Sequence, residues 1–138
     1  CITCDLISPQ QVALISSSAV NPSSFVSVMN PISVEQSVLR PSLIPGLLQV
    51  VRRNVDYQNP NIKGFQIGKI HFKSNGAFKE QTMATFIFAG LAHPHSWDST
   101  DRTVDFYDLK GVLENLFHGL WIHRVTFEKL DLPFYHPG

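Results

Sequence analysis

The sequence has few charged residues and almost no cysteine. Charged residues make up 16% of the 138 positions, and 11 basic residues balance 11 acidic ones. Dedicated polyanion binders normally carry a large basic excess, so this balance argues against a dedicated nucleic-acid-binding chain. The scarcity of charge also leaves much uncharged surface, which favours a face made for another protein chain.

Long apolar runs and a secretory leader are missing as well. The longest uncharged stretch, residues 6–34, is interrupted by Pro9, Pro22 and Pro31, whereas a membrane span needs about 20 mostly apolar residues in a row. We therefore expect no membrane segment. Because the chain begins with Cys1 and shows no signal peptide, we expect it to be a piece of a longer protein.

Cys1 and Cys4 have the C-x-x-C spacing of two zinc ligands. His93 and His95 could supply the other two ligands of a tetrahedral site. A single pair at a chain end is a weak metal signal, and a strand at this place points the two thiols to opposite faces. Reduced thiols of a cytosolic protein are the preferred interpretation. A small metal-binding domain is the alternative.

Hydrophobic periodicity predicts an α+β fold. The predicted helices cover residues 9–15, 42–59 and 106–120, and the predicted strands cover 2–7, 25–29, 65–72, 82–91 and 125–130. Strands that follow one another without a helix favour an antiparallel sheet flanked by helices. The connection after residue 72 is predicted to be longer than a tight hairpin, and residues 1–138 are interpreted as a single domain.

The helix that begins near Ser42 is apolar over more than one narrow face. Its apolar residues are Leu43, Ile44, Leu47, Leu48, Val50, Val51 and Val55. A helix that is apolar over a wide arc usually packs on two sides. Part of this helix is therefore predicted to face a partner chain, and the simpler alternative is burial within this domain.

The helix from Phe106 begins beside two carboxylates. Asp105 and Asp108 can form an acid–base pair, but their place at a helix start fits capping groups better. A glycine in mid-helix costs about 1 kcal/mol relative to Ala, so Gly111 is expected to permit a close backbone contact.

Phosphate-binding and nucleophile motifs of the Walker, G-x-G-x-x-G and G-x-S-x-G types are absent from the sequence. Four phenylalanines on adjacent predicted strands, Phe65, Phe72, Phe86 and Phe88, can stack nucleic-acid bases. A nucleic-acid-binding domain is therefore a further alternative. Without a basic surround, these rings are interpreted as core.

Four segments carry recognisable motifs, in this order: Asn30–Ser33 followed by Ser37–Leu48, then Phe65–Lys69, Val104–Gly111 and His136–Gly138. In this order and at about this spacing, they resemble the β subunit of bacterial phenylalanyl-tRNA synthetase. The positions that fall within its motifs are Arg40, Ser42, Pro45, Gly46, Gln66, Gly68, Asp105, Asp108, Lys110 and Gly111.

The resemblance implies the first part of a catalytic-like domain with the antiparallel sheet of class II aminoacyl-tRNA synthetases, truncated at its C-terminus. The family's α subunit binds ATP and phenylalanine and charges tRNA(Phe), and two α and two β subunits form a heterotetramer. This domain is implied to be non-catalytic. No catalytic, cofactor-binding or metal residue is therefore expected here, and ATP and Mg²⁺ belong to the holoenzyme.

The residues agree with a non-catalytic role. Adenylate formation needs an Arg for the phosphate and acidic groups for Mg²⁺, and the two long predicted strands contain no Arg. The resemblance also places the Ser42 helix where class II folds have their dimer-forming helix, which implies a subunit interface at Leu43, Ile44, Leu47, Leu48, Val51 and Val55. Gln66 departs from the family pattern, which has Glu there, and it is assigned no role.

Overall fold

The computed structural model describes residues 2–15, 24–93, 96–97 and 100–128. The described helices are α1 (Pro9–Ile15), α2 (Ile44–Asp56) and α3 (Phe106–Gly119); the strands are β1 (Leu6–Ile7), β2 (Val26–Ser27), β3 (Val38–Leu39), β4 (Ile62–Ser74) and β5 (Ala77–Ala89). A short 3-10 turn covers Val34–Gln36. The combination of helices with antiparallel strands confirms the predicted α+β class.

The chain divides into two compact units. The first contains the described parts of Cys1–Val50 together with Phe65–Thr85, and the second contains Val51–Gly64 and the described parts of Phe86–Leu130. Within the described residues, no helix is both long and apolar enough to cross a membrane.

A small three-stranded sheet organises the first unit. β3 lies between β1 and β2 and is antiparallel to both, with Ile7 opposite Val38. The side chains of Ile7, Val38 and Val12 form a buried cluster against which Phe25 packs. Each such aliphatic side chain contributes roughly 1.5–3 kcal/mol when it is fully buried.

Helix α1 begins at Pro9, where the sequence predicts its start. Ser8 precedes it as N-cap, and the Gln11 N–H donates to Ser8 Oγ at 3.2 Å while the Ser8 N–H donates to Gln11 Oε1 at 2.9 Å. This reciprocal pair satisfies two backbone donors at the helix start, and Pro9 occupies the position where a missing N–H is least costly.

Strands β4 and β5 form a tight hairpin, so the predicted long connection was wrong. Only Asn75 and Gly76 separate them, and both have positive φ, 52° and 76°. Two residues with positive φ match the right-handed twist of the flanking strands. The error arose because Lys73, Lys79 and Glu80 interrupt the apolar alternation although they lie within the strands.

Other expectations failed for local reasons. The first predicted strand is reduced to β1, and β3 was missed because a two-residue strand leaves no periodicity. Residues 125–128 form no strand, and 129–130 lie outside the described residues. A Cβ added at Gly111 would meet nothing within 4 Å, so the expected close contact is not present among the described residues.

Candidate functional site

The guanidinium of Arg40 is buried in the first unit, with the residue only 5% exposed. Its Nε donates to the Lys69 carbonyl at 2.9 Å. Its Nη1 lies 3.1 Å from the Thr3 carbonyl and 3.4 Å from the Cys4 carbonyl. Nη2 pairs with Asp5 Oδ1 at 2.5 Å, where the carboxylate reaches solvent. The side chain therefore ties the N-terminal segment to β4.

Gln66 completes this arrangement from the middle of β4, where it is 2% exposed. In the amide orientation that gives both ends a complementary partner, the side-chain oxygen accepts from Arg40 Nη1 and from the Thr3 N–H, each at 3.1 Å. The amide nitrogen then donates to Thr3 Oγ1 at 2.9 Å. Gln66 therefore has a structural role that the sequence did not reveal.

Two glycines make room for these side chains. A Cβ at Gly68 would lie 2.6 Å from Arg40 Nη2, and one at Gly46 would lie 2.7 Å from Thr3 Oγ1. Both distances are shorter than a real carbon contact. We name the assembly of Thr3, Asp5, Arg40 and Gln66, with Gly46 and Gly68, the Arg40 cluster. Four of the ten motif positions meet in it.

The start of α2 buries two residues that the sequence assigned to a subunit interface. Leu43 and Leu47 are each 1% exposed, so their side chains pack inside their own unit and are not available to another chain. The first turn is satisfied locally, because Ser42 Oγ accepts from the Ile44 N–H at 3.2 Å. Pro45 is buried in the same turn.

The other side of α2 remains accessible. Leu48 and Val55 are both 48% exposed, and Ile44 and Val51 are partly buried. Leu48 and Val55 are seven residues apart, about two helical turns, and so share one side of the helix.

In the second unit, Asp105 and Asp108 form a capping box at the start of α3. Asp105 Oδ1 accepts from the Asp108 N–H at 3.0 Å, and Asp108 Oδ2 accepts from the Asp105 N–H at 2.9 Å. This confirms the capping interpretation over the acid–base one. Arg102 adds a bidentate pair to Asp108, with distances of 2.7 and 2.8 Å.

The pKa of the Asp108 carboxyl lies well below its ordinary value. The main cause is the hydrogen bond from Arg102, followed by the one from the Asp105 backbone N–H. Further along α3, Lys110 lies 3.6 Å from Glu114 and over the ring of Phe127, with Nζ 5.3 Å from the ring centroid. These motif residues all hold the helix in place.

The metal alternative gains no support from the described residues. Cys4 and His93 are exposed, and no group of three or more potential ligands lies together in the described part of the chain. Cys1 and His95 lie outside the described residues.

The four phenylalanines do not all belong to the core. Phe72, Phe86 and Phe88 are partly buried, but Phe65 is 54% exposed. The core interpretation is therefore wrong for Phe65, because its place in β4 is one of the alternate positions that point away from buried Gln66.

These observations define a class: an α+β domain whose described motif residues serve packing, buried hydrogen bonding and helix capping. A family model described as the phenylalanyl tRNA synthetase beta chain CLM domain matches residues 1–138. The chain belongs to this family.

Curated relatives agree with the family. The chain is 46% identical over 137 residues to the phenylalanine–tRNA ligase beta subunit of Protochlamydia amoebophila, covering 99% of this chain and 17% of the relative. It is 40% identical to the one from Carboxydothermus hydrogenoformans and 39% identical to the one from Thermotoga maritima, covering 82% and 81% of this chain and 14% of each relative. The chain thus spans about one sixth of the relatives' length.

Replacing Gln66 tests the buried hydrogen bonds. Gln66→Glu keeps the acceptor for Arg40 and Thr3, so we expect the free energy of unfolding to stay within about 1 kcal/mol of the parent. Gln66→Met has a similar volume but leaves buried donors unpaired, and we expect a loss of about 2 kcal/mol. Urea denaturation measures both. Equal stability of Gln66→Met and the parent would contradict this role.

Acid should weaken the start of α3 through Asp108. Because its pKa is lowered in the folded chain, its contribution is present above the ordinary Asp pKa of about 3.9 and is lost as the pH falls towards the lower folded value. We expect the urea midpoint of the parent to fall more steeply below about pH 5 than that of Asp108→Asn. Asp56→Asn, a carboxyl outside this site, is the control and should follow the parent. Parallel curves for the parent and Asp108→Asn would refute the link.

Proposed function

We propose that this chain is a non-catalytic assembly domain of the β subunit of phenylalanine–tRNA ligase. In this proposal the β subunit acts with an α subunit, as a heterotetramer of two α and two β, to attach phenylalanine to tRNA(Phe) with ATP in the cytoplasm. The observation that carries it is the structural use of the described motif residues, in the Arg40 cluster and in the α3 cap, in a chain that belongs to this family.

The finer fold assignment is part of the same proposal. The antiparallel β4–β5 hairpin, with α2 before it and α3 after it, fits a class II synthetase-like domain with residues 1–138 as its first part. The family model supports a single domain because it spans those residues without interruption. ATP, Mg²⁺ and the catalytic groups are assigned to other parts of the holoenzyme.

The proposed contact with the α subunit is the accessible side of α2. It consists of Leu48 and Val55, with the partly buried Ile44 and Val51 beside them. Full burial of an exposed Leu or Val side chain contributes roughly 1.5–3 kcal/mol, and because Leu48 and Val55 are each 48% exposed, roughly half of that remains for each to contribute to association.

Charge substitutions on this side of α2 test the proposal. In the full-length β subunit co-expressed with its α subunit, Leu48→Asp combined with Val55→Asp would bury unpaired charges. We expect the assembly to dissociate at concentrations at which the parent is intact, as measured by analytical ultracentrifugation.

The matched control is Gln49→Asp, an exposed polar position on α2, and it should leave assembly unchanged. Circular dichroism of each variant separates lost docking from lost folding. A folded double variant that assembles like the parent would remove α2 from the interface.

A further inference from the structure

The β4–β5 hairpin concentrates positive charge in a chain that is neutral as a whole. From Ile62 to Ala89 it contains four lysines and one acidic residue, Glu80, a net charge of +3. The rest of the chain therefore carries −3, since the total is zero. This asymmetry is invisible in the overall composition.

One face of the hairpin in the first unit combines aromatic rings with two of these four lysines, Lys69 and Lys73, and with Glu80. β4 residues alternate between the buried side of Gln66 and the opposite side, where Phe65 is 54% and Ile67 is 65% exposed. Lys69 lies on the opposite side too, and its Nζ reaches Glu80 of β5 at 2.6 Å. We name this side, formed by Phe65, Ile67, Lys69, Lys73, Phe78 and Glu80, the outer face.

The side chain of Phe78 is exposed on the outer face next to a lysine. Its ring is 72% exposed, and Lys73 Nζ lies 5.3 Å from the ring centroid. The lysine ammonium is attracted to the negative face of the ring by a cation–π interaction. The opposite face of the ring can then stack with a planar group such as a nucleic-acid base. The same lysine brings a positive charge next to whatever stacks there.

We propose that the outer face binds a single-stranded stretch of RNA, with a base stacked on Phe78 and phosphates near Lys69 and Lys73. Exposed aromatic rings between cations are the arrangement that binds single strands without sequence preference. A protein partner fits less well, because the centres of protein interfaces are depleted in lysine. This inference goes beyond the proposed assembly role, which involves α2.

Fluorescence anisotropy with a 5′-labelled decauridylate tests the proposal on the complete α–β enzyme. Phe78→Ala in the β subunit should weaken binding at least fivefold, because a stacked base contributes about that much or more. Lys69→Gln with Lys73→Gln should reduce the slope of log affinity against log salt concentration by about 1.4, the value for two phosphates of a single strand. Tyr107→Ala removes an exposed aromatic residue of the second unit and should change neither value.

A second measurement locates the RNA. A decamer with 4-thiouridine should crosslink to a peptide within residues 65–85, and a crosslink found only elsewhere overturns the proposal. Unchanged affinity and slope in both hairpin variants also overturn it. If these variants weaken the α–β association and leave the RNA affinity unchanged, the proposal is also overturned, because the outer face would then bind protein. If the assembly that carries Leu48→Asp with Val55→Asp does not dissociate, only the assembly role is contradicted and the RNA proposal is unaffected.

Discussion

The buried guanidinium of Arg40 is the interaction on which the first unit depends. A charge removed from water is costly unless it is paired and fully hydrogen-bonded. Here its donors meet carbonyls of Thr3, Cys4 and Lys69 and the carboxylate of Asp5. The backbone of Arg40 connects the same segments. Its N–H donates to the Asp5 carbonyl at 2.9 Å, and its carbonyl accepts from the His71 N–H at 3.0 Å. One residue thereby joins the N-terminal segment, the end of β3 and β4.

The proposed functions follow from the orientation that this cluster imposes. Because Gln66 and Gly68 face Arg40, the alternation of β4 directs Phe65 and Ile67 outward. Leu43 and Leu47 bury one side of α2, which leaves Leu48 on the accessible side. The buried groups thus determine which side chains are left for partners.

Local signals predicted the helices well. The Ser8 and Asp105 caps bond to backbone groups only a few residues away, and the 3.6-residue periodicity repeats within each helix. Both signals are therefore visible in the sequence. The Arg40 cluster is different, because Thr3 and Gln66 are 63 positions apart and only the fold brings them together. One signal was available: Arg40 is the first basic residue of the chain. A guanidinium needs acceptors once it is buried, but the sequence says neither that Arg40 is buried nor which residues supply its acceptors.

Arg40→Lys tests the central claim most directly. Lysine keeps the charge but has one nitrogen, which cannot reach the Lys69 carbonyl, the Thr3 carbonyl and Asp5 together. The account predicts that Arg40→Lys lowers the free energy of unfolding by about 2 kcal/mol or more in urea denaturation, whereas Arg52→Lys, at an exposed position of α2, changes it by less than about 0.5 kcal/mol. An Arg40→Lys variant as stable as the parent would show that charge alone, without the hydrogen-bonding geometry, holds the unit together, and would contradict the account.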